Sequence, residues 1–301
     1  MKWICGFLRW WWAPALLVVG LWAVFTGGLQ ANRQALGALW HLAGGRAASL
    51  EGPYWQALEA IGSGGCLSPA GLSAEEKVNA AYIAFLRGNE MRKAKQPDKA
   101  IEAFRCATML DGLKGEYYRG LAAAFAEADM PEDALINYQL AAQIDPLGST
   151  AALARFLWYP LRDYARMEQV LARALEAYPQ APARAEWWML LGNALRAQKK
   201  YDGALEAYHR SLALNPDRPE SYAELAQCYR EMGRPAEALE MINQALEKAG
   251  KPTPAWVLRR AAQVYEWAGQ AEAALNFARQ VLAQAPEDAS MLQLVERLTK
   301  P

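Results

Sequence analysis

Residues 185–218 read AEWWMLLGNALRAQKKYDGALEAYHRSLALNPDR. Within them a small residue, Ala204, is followed four positions on by Tyr208 and closed by Pro216. The same arrangement recurs on both sides. Small residues stand at Ala100, Ala134, Ala238 and Ala274, with Met167 in one slot, so the steps along the chain are 34, 33, 37, 34 and 36 residues. The residues four further on are Phe104, Tyr138, Leu171, Ile242 and Ala278, and Pro146, Pro179 and Pro286 close other copies. A period near 34 means stacked helix-turn-helix units, which build a binding surface rather than a reaction centre. Small residues such as Gly192 and Ala204 let the two helices of a unit approach closely. Aromatics such as Tyr208 fill the gap to the next unit, and the prolines stop the second helix so that the chain can turn.

The chain has 301 residues, 32 basic against 32 acidic, and 53% hydrophobic content. Residues 1–72 carry only Lys2, Arg9, Arg33, Arg46, Glu51 and Glu59 as charges. That shift separates two physical environments near Ser73. A neutral balance without a clustered basic face gives no support for a nucleic-acid partner.

Trp10 to Leu29, WWWAPALLVVGLWAVFTGGL, is free of charge. As a helix rising about 1.5 Å per residue it covers roughly 30 Å, the thickness of a hydrocarbon core. Residues 10–29 are therefore expected to be one transmembrane helix after a short tail at 1–9, contacting the lipid bilayer. Trp10, Trp11 and Trp12 suit an interfacial anchor, and Lys2 and Arg9 ahead of the span favour a cytoplasmic amino terminus. The expected location is a cell membrane, single-pass, with the repeats extracytoplasmic. A cleaved signal peptide is the rival reading, although its apolar region is long and the small residues after it make a poor cleavage site. Cys5, Cys66, Cys106 and Cys228 form no evident framework. Cys106 and Cys228, inside repeats, read as small buried hydrophobes, and this usage leaves the compartment undecided.

Residues 30–72 read as a connector. Gln34 to Ala43 predicts a short helix, Pro53 starts a second that carries Tyr54, Trp55, Leu58 and Ile61, and Gly62 to Leu72 is Gly/Ser/Pro-rich. The apolar residues of 34–61 suit either the membrane surface or, the favoured reading, a cover over the first repeat. Ser73 with Glu76 forms a capping box that opens the next helix.

Unit by unit these residues resemble the tetratricopeptide repeat family. Unit 185–218 carries Trp188, Leu191, Gly192, Ala204, Tyr208 and Pro216 at the family's positions. Unit 115–148 has Tyr118, Leu121, Ala122, Phe125, Ala134, Tyr138, Ala141 and Pro146; unit 219–252 has Tyr222, Leu225, Ala226, Tyr229, Gly233, Ala238 and Ala245. Unit 255–288 offers Leu258, Ala262, Tyr265, Gly269, Ala274 and Pro286, and unit 81–114 keeps Gly88, Ala100, Phe104 and Ala107. Unit 148–181 departs most, with Arg155 and Met167 in small-residue slots and Pro160 expected to interrupt its first helix. The resemblance implies an all-α, right-handed α-solenoid of about six helix-turn-helix repeats over 73–288, preceded by the transmembrane helix. Residues 289–301 are expected to close it with a capping helix.

In this family the first helices of successive units line a groove that binds a protein or peptide partner. Carried over, the groove positions are Phe85, Asn89 and Arg92; Arg119; Asn193 and Arg196; Gln227 and Arg230; and Arg259 and Gln263. Amides and guanidinium groups so spaced can hydrogen-bond a peptide backbone and carboxylates. The same arginines also read as ordinary solvated charges paired with glutamates one turn away, with Glu186, Glu220 and Glu266 on the same faces. Trp158 and Tyr159 beside Pro160 read either as anchors for a partner or as core filling.

Two histidines, His41 and His209, lack metal-ligand neighbours at the required spacing, and no phosphate-cradling loop or nucleophile elbow is present. No catalytic residue, cofactor or metal is expected. The resulting expectation is a non-enzymatic, membrane-tethered scaffold or adaptor for protein partners, serving assembly of an envelope complex. Two alternatives stay open: a self-associating structural element, as a homo-oligomer, and a secreted peptide- or glycan-binding module.

Overall fold

The computed structural model describes residues 65–66 and 70–300. The tail at 1–9, the span at 10–29 and the connector helices at 34–43 and 53–61 lie outside the described residues. Among the described residues there are thirteen helices and no strand, and no helix there is long and apolar enough to cross a membrane. The chain divides into two compact units at Asp145 and Pro146.

The amino-terminal unit holds α1 (Ala74–Lys93), α2 (Pro97–Leu110), α3 (Gly115–Glu127) and α4 (Pro131–Ile144). Ser73 opens α1 with a full capping box: the Glu76 amide donates to its hydroxyl at 3.3 Å, and the Ser73 amide donates to the Glu76 carboxylate at 2.8 Å. Those bonds hold the Glu76 carboxyl below its usual range. Prolines at the start of α2 and α4 occupy first-turn positions, where a missing N–H leaves no bond unmade. Helices α1 and α2 pair, as do α3 and α4, and α2 also packs on α3. Phe104 decides how closely they approach. A Cβ added at Gly88 would fall 2.7 Å from its ring, and one at Gly120 would fall 2.6 Å from it, so the ring lies between two positions that only glycine fits.

The carboxyl-terminal unit continues with α5 (Pro146–Trp158), α6 (Tyr164–Ala177), α7 (Arg184–Ala197) and α8 (Tyr201–Leu214). It ends with α9 (Pro219–Glu231), α10 (Pro235–Lys248), α11 (Ala255–Trp267), α12 (Ala271–Gln284) and the single closing helix α13 (Ala289–Thr299). Each pair from α5–α6 to α11–α12 forms a hairpin, and the second helix packs on the first helix of the next. Tyr208 repeats the device of Phe104, since a Cβ at Gly192 would sit 2.5 Å from its ring. Where the pattern departs, Met167 and Leu171 fill the slots and are wholly buried. Pro160 does not interrupt a helix. It follows the end of α5 at Trp158, joined to Tyr159 by a cis peptide bond, because a proline cannot donate to the helix ladder and disfavours helical backbone in the residue before it.

All six hairpins turn through a left-handed residue at the same register position. These are Lys95, Asp129, Arg162, Lys199, Gly233 and Gly269, with φ between 53° and 79°.

One expectation is corrected at the first repeat. Cys106 is buried, but it is bonded to Cys66, 40 residues earlier, with 5.5 Å between the Cα atoms. Neither cysteine's local pattern signals the pairing; folding α2 beside the loop ahead of α1 creates it. Leu72 joins Ala80, Ala81, Ala84, Cys106 and Leu110 in the core that this bridge covers. Cys228 remains free and buried, and burial pushes its thiol up to about 11.

Candidate protein-binding surface

On α1, Phe85 packs inward, 5.1 Å from the Tyr117 ring and 5.8 Å from Phe104, and so contributes to the core as much as to a surface. Asn89 is half-buried one turn further. Arg92 reaches the next first helix, where Nη2 donates to Glu127 at 2.5 Å and Nε at 3.0 Å. Arg119, on α3, lies near the Tyr138 phenol, whose pKa is raised chiefly by burial. Phe85, Asn89, Arg92 and Arg119 thus share the first-helix side of the amino-terminal unit.

The carboxyl-terminal unit gathers the larger cluster. Tyr208 donates its hydroxyl hydrogen to the Asn193 side-chain oxygen at 2.7 Å, and Arg196 Nε donates to the Tyr208 oxygen at 3.3 Å. Arg196 further donates from Nη1 to Glu231 at 2.5 Å and from Nη2 to Glu224 at 3.1 Å. Its guanidinium also stands 6.0 Å from the ring of Trp158, which packs 5.0 Å from Tyr164. Tyr159, by contrast, is 71% exposed. Gln227, only 6% exposed, donates to Glu231 at 2.7 Å and accepts from Arg260 Nη1 at 3.1 Å. Arg260 also reaches Glu224 at 3.4 Å. Arg230, half-buried beside this network, makes no side-chain hydrogen bond or ion pair among the described residues. Burial lowers its pKa and repulsion from Arg260 and Arg196 lowers it further, against the opposing attraction of Glu231 and Glu266.

Arg259 and Gln263 stand on α11. Arg259 turns to Asp288, donating from Nε at 2.8 Å and Nη2 at 2.6 Å. Asp288 is the cap of α13 and also accepts from the Ser290 hydroxyl at 2.6 Å and the Met291 amide at 3.1 Å; Ser290, then Arg259, then Met291 hold its carboxyl down to about 2. Arg259 therefore pins the closing helix. Gln263 is half-buried on the first-helix face.

Two tetratricopeptide repeat family models match the chain, over residues 159–219 and 195–256. Residues 159–256 are similar to tetratricopeptide repeats. Tetratricopeptide repeat protein 36 of Caenorhabditis elegans is 37% identical over 62 residues, covering 21% of this chain. The chain spans 35% of that relative's length. Among solved structures, PilW, a type IV pilus biogenesis factor, superposes with a TM-score of 0.59 at 19% identity, covering 71% of this chain and 98% of its own. Pseudomonas aeruginosa PilF gives 0.55 at 19% identity, over 74% of this chain and 99% of its own. A tetratricopeptide repeat protein from Parabacteroides merdae gives 0.59 at 14% identity, over 96% and 99%. At these identities the shared property is the fold.

These tetratricopeptide-like repeats use their charges differently from the sequence expectation. Arg92, Arg155 and Arg196 on first helices do not pair one turn away on their own helix. They cross to the next repeat: Arg92 to Glu127 and Arg196 to Glu231 are each 35 residues apart, and Arg155 takes Glu186 in the same manner. A search for Arg and Glu separated by one repeat plus one residue would have found the first two pairs.

Proposed function

We propose that this protein is a membrane-tethered scaffold that binds partner proteins on the first-helix faces of its repeats. The observation that carries the reading is the polar network on α7, α9 and α11. Three consecutive first helices hold Arg196, Gln227 and Arg260 in fixed geometry, with Arg230 left without an internal partner. Such preorganised donors suit recognition, because little side-chain freedom remains to be lost on binding. The apolar span at 10–29 supports the tether. The Cys66–Cys106 bridge supports an extracytoplasmic location for the repeats, since disulfides persist in oxidising compartments. Assembly of an envelope complex fits this reading, and PilW, which has a similar fold, is a pilus biogenesis factor.

A second reading, self-association, is favoured by one feature. Ile136, Leu140 and Ile144 form an exposed apolar stripe on α4. Photo-cross-linking in intact cells separates the two. A photoreactive residue at Gln263 is expected to capture a foreign protein, and one at Leu140 to capture nothing. Links only between copies of this chain would remove the scaffold reading.

A further inference from the structure

Arg196, Arg230 and Arg260 crowd together on consecutive first helices, opposed by Glu224 and Glu231. Both carboxylates are already engaged. Glu231 holds Arg196 and Gln227; Glu224 is shared between Arg196 and Arg260. The register explains why Arg230 is the one left over. Arg92 and Arg196 stand at the twelfth position of their repeats, and each reaches a glutamate at the thirteenth position of the next. Arg230 is again at the twelfth position, but the thirteenth position of the next repeat is Trp267, which is 40% exposed. Glu266, one residue earlier, is held by Arg297 at 2.5 Å. The cross-repeat ladder is therefore missing one rung, on the carboxylate side.

We infer that this empty rung is a recognition site for a carboxylate on an acidic segment of a partner protein. Arg230 donates to the carboxylate, and the exposed indole of Trp267, which holds the thirteenth position, meets an apolar side chain beside it. Arg230 is half-buried, and its neighbouring carboxylates, Glu231 and Glu266, are bonded to other arginines, so it has lost hydration that a partner's anion restores. Arg260 and Arg196 nearby add the same preference, and the lowered pKa of Arg230 agrees with it. The Trp267 indole favours a protein segment over a free inorganic anion, because an aromatic face contributes binding energy only against apolar or planar groups. This inference rests on the scaffold reading, and goes beyond it by naming the chemistry of the bound segment.

The test is selection of a random twelve-residue peptide display library on the immobilised full-length chain and on its Arg230→Gln and Trp267→Glu variants. The second variant refills the empty rung from within. Wild type is expected to enrich Asp or Glu at one fixed position, and both variants to lose that enrichment. A synthetic peptide from the selection should bind wild type about tenfold more tightly than its Glu→Gln or Asp→Asn counterpart, the size of one charge-assisted bond, and about equally to either in Arg230→Gln. The Arg230→Gln chain should melt no lower than wild type, as no internal bond is removed. Peptides enriched without an acidic position, or the same acidic position in both variants, would overturn the carboxylate site while leaving the scaffold reading in place. A melting temperature lowered by Arg230→Gln would overturn the empty rung itself. Enrichment of no peptide at all would overturn both readings.

Discussion

Lys199 sits at φ 62° and Lys95 at φ 56°, in the left-handed region where a Cβ crowds the following carbonyl. Gly233 and Gly269 occupy the same turn position, with nothing within 4 Å of an added Cβ at either. The turn itself, rather than a close neighbour, therefore selects the conformation. Lys199→Gly and Lys95→Gly are each expected to stabilise the fold by about 0.5–1 kcal/mol, and Gly233→Ala to destabilise it by about 1 kcal/mol. Urea midpoints at unchanged slope would check the three. This common turn was not legible as such, because lysine, aspartate, arginine and glycine share no side-chain property; only backbone geometry groups them. The ring slots were more legible. Glycine at 88 and 192 and the rings of Phe104 and Tyr208 announce a tight crossing through size alone.

At the level of elements, the closing helix α13 depends on a charged cap. Asp288 has its pKa held from 3.8 down to about 2, first by the Ser290 hydroxyl and then by Arg259. A depressed carboxyl contributes stability that is fully present above its unfolded value and is lost as pH falls through its folded one. Asp288→Asn should therefore lower stability by the same amount at pH 7 and pH 5, with the difference from wild type closing between about pH 4 and pH 2. Chemical denaturation across that range would show it, and a difference undiminished at pH 2 would exclude the cap as its source. The helices themselves followed from the period, since small, aromatic and proline positions each act locally. Charge partners did not, because Arg92 and Arg196 find theirs on the next repeat and Arg259 finds its own at a helix cap. A residue's helix face can be read from spacing; the neighbour it meets belongs to the packing of two hairpins.

For the whole molecule, the disulfide has the widest consequence. Cross-linking residues 40 apart restricts the unfolded chain, an effect of about 2–4 kcal/mol. Cys106→Ser is expected to speed hydrogen exchange in α1 and α2 and to leave α9 to α12 unchanged, because repeat arrays are held together by nearest-neighbour contacts. Adding reductant to wild type should reproduce the variant, and should have no further effect on the variant itself. The bridge also fixes where mechanical load enters. A pull on the chain from the amino-terminal side of residue 66 passes through sulfur to the middle of α2 and bypasses α1. Helix α1 thus carries no load, and cannot be peeled from its leading end while the S–S bond holds.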